Sequence, residues 1–506
     1  MLAAIAAPNA QAEEPIYWEM FDKIMDDSFA NNEVMENASW LTDVFSPRIV
    51  KSPQYRASAE WAAKKLEEYG LTNPRLEPYE FGIGYVNEYI SVHMMEPKYM
   101  TLLAYPVTWS PPTKGKIKGP VIYMNFDEVM SEMDLAGFRG SVKDAIIFTQ
   151  PKQEVNPVIR NPAEQWSSEQ LDKKTTIEIV PARRIRRLPQ DDDDEQPMPR
   201  QQIIDFLVAE GVGVIVRTDG RSDYGTVVVE NSSYTLESKP WEKGGPTRAP
   251  ELVMAAEHYN RIMRIIERGV DVEMEVELKV SFSTDDPMDH NVIAEIPGTD
   301  LAHEIVIIGA HLEANPAGTG AVDDAAGVVA VMEAMRTLVA VGAKPRRTIR
   351  IGLWGGHEMG TFGNRAHVAK HFADPKTKEY RQDYDNFCAY FNMDIGSGRI
   401  RALSISNSEE MRAIFTEWLK PLRALGMTHL FTTGSTHEAY DEVGLPSFYF
   451  EQDRREMDDR HAHSSMDTYE RLVPEGLMQS SVVMATLAYH AAMRDEKLPR
   501  PAPLPW

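Results

Sequence analysis

A chain of 506 residues with one cysteine, Cys388, can form no disulfide within itself. The lone thiol therefore neither supports nor excludes an oxidising compartment. Cys388 sits in the apolar run NFCAYFNMD and reads as plain core. Long hydrophobic runs are missing as well. No stretch of about 18 apolar residues occurs, so no membrane span is expected. Positive charge is in deficit: 53 Lys and Arg stand against 77 Asp and Glu, a formal charge of −24. Nucleic acid and anionic membrane surfaces would repel such a chain, and neither is expected as a partner.

What is present fits a soluble globular protein, with 43% hydrophobic and 26% charged residues. The length exceeds what one compact core organises, so two domains are expected. At the start, MLAAIAAPNAQAEEP runs small apolar residues into an A-x-A pattern that ends at Ala12, ahead of Glu13 and Glu14. That pattern predicts a signal-peptide remnant over residues 1–12 and export to a periplasm or the outside. A basic n-region is absent from it.

Helix and strand signals then divide the chain. SPQYRASAEWAAKKLEEYGL, from Ser52, predicts a helix closed by Gly70. NEYISVHMMEP reads as extended, KGKIKGPVIYMNF and DAIIFTQ as short strands, and DVEMEVELKVSFS as another. Between them PARRIRRLPQDDDDEQPMPR, with its acidic run Asp191 to Glu195, reads as a solvated loop. QQIIDFLVAEGVGVIVRT reads as a helix, a glycine turn and a buried strand. After Asp289 the pattern alternates: EIVIIGAH, RTIRIGLW, FCAYFNMD and LPSFYF are strands, and a helix stopped by Gly342 and Pro345 separates the first two. Such alternation predicts an α/β fold with a mixed, mostly parallel sheet flanked by helices. Ligands of such sheets bind beyond the carboxyl ends of the strands.

The metal-capable side chains fall at those ends. His311 closes EIVIIGAH, Asp323 precedes the next helix, Glu358 follows RTIRIGLW, and Asp394 ends FCAYFNMD. A fifth candidate, His463, lies in HAHSSMDTY. Taken singly, an Asp before a helix is an N-cap and a strand-end histidine is an ordinary core or surface residue. Two histidines and three carboxylates converging on one crevice suit zinc instead. A carboxylate that bridges two ions holds them about 3.5–4 Å apart, as in two-metal hydrolases.

Four stretches carry a more specific resemblance: GAHLEANPAGTGAVDDAAGVVAVMEAMRTL, IGLWGGHEMGTFGNRAHV, YFNMDIGSG and HAHSSMDTYERL. In this order they resemble the motifs of the two-zinc exopeptidase family, which includes secreted bacterial aminopeptidases, glutamate carboxypeptidase II and plasma glutamate carboxypeptidase. The likeness runs from about Asn291 to the C-terminus, and SPRIVKSPQYRASAEWAAKKLEEYGL is similar to the family's first helix. The middle of the chain resembles the β-rich protease-associated domain that many members carry as an insertion. The resemblance implies a catalytic domain over 13–115 and 283–506 and the inserted domain over 116–282. It also implies two zinc ions, one on His311 and Asp394, one on Glu358 and His463, with Asp323 between them.

Three positions depart from the family pattern. The residue before the zinc-binding Glu, elsewhere a Glu that acts as general base, is His357. Glu313 replaces the Asp that orients the first zinc histidine, and Thr436 replaces an Asp before His437. The resemblance further implies that His437 and Tyr440 contact the oxyanion or the substrate; plain structural roles suit both equally. An imidazole with a pKa of about 6.5 is a competent base at neutral pH, but beside two dications it is driven neutral, and its reach differs from that of a carboxylate. His357 can act as a weaker base, or bind a metal and alter the site. The expected function is a secreted two-zinc metallohydrolase that cleaves an amide bond near a peptide terminus, with a peptide or amide as substrate. The alternative is a non-catalytic or weakly active binding protein that keeps the peptidase scaffold. A third is other amide chemistry, such as cyclisation or deacylation, on the same site.

Overall fold

The computed structural model describes residues 14–155, 165–175, 196–229, 239–377, 379–406, 408–432, 438–454 and 462–501. The expected signal-peptide remnant and the acidic run Asp191 to Glu195 lie outside them.

Among the described residues, two eight-stranded sheets carry the fold; strands are numbered in chain order. The first contains β1 (Thr72–Glu80), β10 (Met288–Ile296), β11 (Leu301–His311), β12 (Arg347–Trp354), β13 (Phe387–Asn392), β14 (Ile400–Ile405), β15 (His429–Thr432) and β16 (Ser447–Gln452). Its spatial order is β1-β10-β12-β11-β13-β16-β14-β15. The centre, β12-β11-β13-β16, is parallel. The β1–β10, β10–β12 and β14–β16 pairs are antiparallel. The expected mixed, mostly parallel sheet is what forms.

Burial on both faces explains why β11 reads as a continuous apolar run. Val306, Ile308 and Ala310 pack on one side with the helices Ala326–Ala340 and Pro474–Met493. Ile305 and Ile307 face the other side, against Trp354, Val368, Phe372 and Tyr390. The helix Pro53–Glu68 starts as its sequence predicts: Ser52 Oγ accepts the Tyr55 N–H at 3.1 Å, and Pro53 fills the first position. Gly70, at φ 87, takes the left-handed turn that ends it.

The second sheet is made of β2 (Gly84–Glu96), β3 (Met100–Thr101), β4 (Ala104–Pro106), β5 (Ile117–Tyr123), β6 (Ile146–Phe148), β7 (Val214–Arg217), β8 (Glu251–Met254) and β9 (Glu273–Ser283). Its order is β3-β2-β9-β5-β6-β7-β8-β4. Residues 84–106, which the sequence reading placed in the catalytic domain with its boundary at 115/116, contribute β2, β3 and β4 to this second sheet. The cause is the antiparallel pairing of β2 with β9 from Gly84↔Ser283 to Glu96↔Glu273, a contact between segments nearly 200 residues apart that no local pattern reveals. Strands β5 to β8 of this sheet are parallel, and helices Arg200–Ala209 and Ala256–Ile266 accompany them.

The two sheets meet at a plug of buried side chains: Ile49, Tyr79, Phe81, Tyr85, Trp109 and Trp241. Beneath it the backbone of Lys51 donates to Asp289 Oδ2 at 2.7 Å, and Tyr79 Oη lies 3.4 Å from the same oxygen. No helix among the described residues is long and apolar enough to cross a membrane.

Asp289 makes this junction sensitive to pH. Burial outweighs its hydrogen bonds and pushes its pKa up to about 7. An unfolded Asp titrates near 3.9, so the raised folded value favours the protonated form. The stability it contributes is complete below about pH 4 and is lost as pH rises through about 7. Between pH 5 and pH 8 the wild type is expected to lose about 3 kcal/mol more than Asp289→Asn, at about 1.4 kcal/mol per pKa unit. Urea denaturation at both pH values measures this difference; parallel pH profiles would rule the idea out.

Candidate metal centre

The parallel strands deliver their chemistry at one end. His311 is the last residue of β11, Glu358 lies four residues beyond β12, and Asp394 lies two beyond β13. Asp323 comes from the turn Ala321–Ala325, whose φ and ψ at Asp323 (−129°, 85°) leave the helical path before the helix Ala326–Ala340 begins. His463 arrives from the loop before the last helix, with a φ of 57°.

These five side chains meet in two pairs around one carboxylate. Asp323 Oδ1 lies 3.0 Å from His311 Nε2, and Asp323 Oδ2 lies 3.1 Å from His463 Nε2. His311 Nε2 is also 3.4 Å from Asp394 Oδ1, while His463 Nε2 is 3.3 Å from Glu358 Oε1. Donor atoms of His311, Asp323 and Glu358 lie within 4.8 Å of one another, as do those of His311, His357 and Asp394.

His311 Nδ1 is 3.1 Å from the carbonyl oxygen of Glu313. Donation of its N–H there leaves the Nε2 lone pair aimed at two carboxylates. Such an arrangement needs a cation or a proton between its partners. Without an ion a proton takes the place: hydrogen bonds to Asp323 and Asp394 outweigh burial and raise His311 well above the ordinary histidine range. The imidazole and carboxylate donors thus fit zinc.

Glu313 serves differently from the expected orienting carboxylate. Its carbonyl orients His311, while its Oε1 accepts the Glu358 N–H at 3.0 Å. Its Oε2 stands 3.9 Å from His311 Nδ1. Glu313 therefore joins one member of each pair. Burial raises its pKa.

His357 lies flat on His311, with ring centroids 4.5 Å apart and planes within 6°, and its Nε2 is 3.3 Å from Asp394 Oδ2. Burial opposes charge on His357, but Asp394 prevails and raises its pKa. Asp394 in turn sits well below the usual carboxylate range because His357 and His311 overcome its own burial.

Residues that sequence reasoning did not single out complete the frame. Asp467 accepts the N–H groups of Val322 and Asp323 at 2.6 and 3.2 Å, which fixes the turn that presents Asp323. Burial pushes Asp467 up to about 8. Asp324 accepts the His311 N–H at 3.2 Å and the Gly327 N–H at 2.9 Å. Arg48, fully buried, donates to the carbonyls of Leu41, Leu312, Thr319 and Gly320. The position of Asp467 within HAHSSMDTYERL was the available signal for its role. Arg48 gave none, because its partners are all backbone carbonyls. A segment between β7 and β8 also reaches the centre: Val229 N–H donates to the His463 carbonyl at 2.9 Å, and Ser465 N–H to Val227 at 2.9 Å.

Tyr440 lies in the apolar layer beside β13. It is fully buried and stacks on Tyr390 with centroids 4.2 Å apart, beside Phe387, so its ring serves the core. His437 and Thr436 lie outside the described residues.

Fold and cluster together define a metallopeptidase-type α/β protein. Residues 291–488 match the model described as Peptidase family M28. Through them the chain is similar to that family, the two-zinc exopeptidase family its motifs resemble. Carboxypeptidase Q of Mus musculus is 23% identical over 480 residues, which cover 93% of this chain and 87% of that protein. A peptidase M28 precursor from Shewanella amazonensis superposes with a TM-score of 0.67 at 21% identity, covering 96% of this chain and 98% of that one. A zinc aminopeptidase from Bacillus subtilis gives a TM-score of 0.57 at 15% identity, covering 92% and 96%. At these identities the two structures speak for the fold.

Gly318 tests how tightly the His463 loop is held. A Cβ there would sit 2.4 Å from the Ser464 carbonyl oxygen and 2.8 Å from that of Asp467. Gly318→Ala is expected to cost about 1–3 kcal/mol, the usual range for overpacking, and to weaken zinc uptake. Thermal melts and calorimetric zinc titration of the apo protein measure the two effects. An unchanged melting temperature would mean that the loop yields freely.

Proposed function

We propose that this protein is an exported zinc exopeptidase that hydrolyses an amide bond near a peptide terminus. In this reading His311 and Asp394 would hold one zinc ion, Glu358 and His463 would hold a second, and Asp323 would be shared between them. The split of the Asp323 carboxylate carries the reading, with one oxygen toward each histidine at 3.0 and 3.1 Å. Bound there, the ions would polarise the scissile carbonyl and bring the pKa of a water toward neutrality. His357 takes a proton at a ring nitrogen and returns it to the leaving amine. Asp394, 3.3 Å away, sets the plane of that ring. Such acid–base work contributes about 10²–10⁴-fold. The relatives' names include both carboxypeptidases and aminopeptidases, so the proposal stops at a terminus without choosing its polarity. The second sheet, with the segments around it, is assigned as the inserted protease-associated domain. Export rests on the A-x-A pattern that ends at Ala12.

One observation favours a second reading. His357 shares its donor group with His311 and Asp394, so it can be a third ligand of the first ion. The site would then lack a side-chain base, and the protein would bind peptides without cleaving them efficiently.

The two readings separate in a zinc-supplemented assay of dipeptides and aminoacyl amides, with bound metal counted for wild type, His357→Glu and His357→Ala. If His357 is the base, wild type turns over, and His357→Ala keeps its zinc but loses activity by about 10²-fold or more. An inert, zinc-loaded wild type whose activity is restored by His357→Glu would establish the binding reading.

A further inference from the structure

A second group of metal-capable side chains is built from β1 and the helix Phe362–His371, neither of which supplies a donor to the strand-end crevice. His367 and His371 stand one helical turn apart and so share a face. Glu77 on the adjacent strand meets both: Oε1 lies 2.5 Å from His367 Nδ1, and Oε2 lies 2.7 Å from His371 Nε2. Donor atoms of all three residues fall within 4.8 Å of one another.

We propose that Glu77, His367 and His371 form a separate site for one divalent transition ion of the zinc class.

Two imidazoles and one carboxylate are a donor set that zinc takes with a fourth position left open. With bonds of about 2.0–2.1 Å, tetrahedral donors stand roughly 3.3 Å apart. The present separations therefore need to open by less than about 1 Å. His367 has no exposed surface, and its Nε2 is buried with no hydrogen-bond partner. The rings of Trp354 and Phe372 wall it in, at 5.1 and 5.8 Å. His371 is 21% exposed and gives an entry path from solvent.

Two cations stand nearby, and neither closes the site. Lys370 Nζ is 3.2 Å from Glu77 Oε2, but its side chain is half exposed and can swing into water. Arg350 is committed to Glu295, with Nε and Nη2 each 2.8 Å from Oε1. An ion here would pin the helix Phe362–His371 to β1. That helix follows directly on the loop of His357 and Glu358, so the site would brace the crevice without taking part in its chemistry.

Zinc counting by mass spectrometry on loaded, desalted protein tests the proposal. His371→Ala and Glu77→Gln are each expected to hold one zinc per chain fewer than wild type. The comparison does not depend on how many ions the crevice binds, so a failure of the two-zinc reading leaves it intact. Asp323→Ala is expected to lose crevice zinc and keep this ion. Zinc-edge anomalous scattering from wild-type crystals gives a reading free of folding effects, with a peak expected among Glu77, His367 and His371. Equal zinc counts in wild type and a folded His371→Ala, or no peak there, would overturn the proposal.

Discussion

Repulsion among buried carboxylates is the constraint around which this protein is arranged. Glu313, Asp323, Asp324, Glu358, Asp394 and Asp467 converge at the end of the parallel strands, and only Glu358 and Asp394 keep an appreciable exposed surface. A buried charge is costly unless paired, and one without compensation is given up by protonation. Several partners share the load here. The N–H groups of His311, Val322, Asp323, Gly327 and Glu358 each donate to one of these carboxylates. His311, His357 and His463 supply the side-chain partners. The remaining excess of negative charge is what divalent ions neutralise, so folding and metal loading are linked.

Holding so much backbone in place requires support from behind. Arg48 gives it, because its guanidinium ties the carbonyls of Leu41, Leu312, Thr319 and Gly320 into one knot beneath the metal-facing turn. The Asp467 carboxylate then fixes Val322 and Asp323 from the opposite side. His463 adopts a left-handed backbone, and Val229 from the second unit holds its carbonyl. The second unit is thus a structural member of the centre as well as its neighbour. A change in that unit can reach the His463 loop through two backbone hydrogen bonds.

Much of this was legible in the sequence, for identifiable reasons. β11 and β12 announced themselves because strands buried on both faces leave uninterrupted apolar runs. Three of the five clustered residues, His311, Glu358 and Asp394, were readable because a parallel sheet brings its carboxyl ends together. Partnerships across long sequence distances were hidden. Neither the union of β2 with β9 nor the reach of Val229 to His463 leaves a local pattern. Glu313 was readable as a neighbour of His311, but not the division of labour between its carbonyl and its carboxylate. For Tyr440 the sequence left a substrate contact and a structural role equally open, because proximity to a polar motif says nothing about which way a ring turns; the ring stacks on Tyr390 in the core.

His357 is best understood through the same charge balance. A Glu at this place would add a further carboxylate to a centre already crowded with them, and divalent ions would be held more strongly for it. The histidine removes that charge and adds a flat ring, which packs on His311 and touches Asp394. Both contacts fall on the His311–Asp394 pair and leave Glu358 and His463 with their own. The two pairs around Asp323 therefore differ: the His311–Asp394 pair has a further nitrogen donor beside it, that of His357. Whichever role the imidazole takes, its own contacts fall on His311 and Asp394, so its physical effect is felt first at that pair.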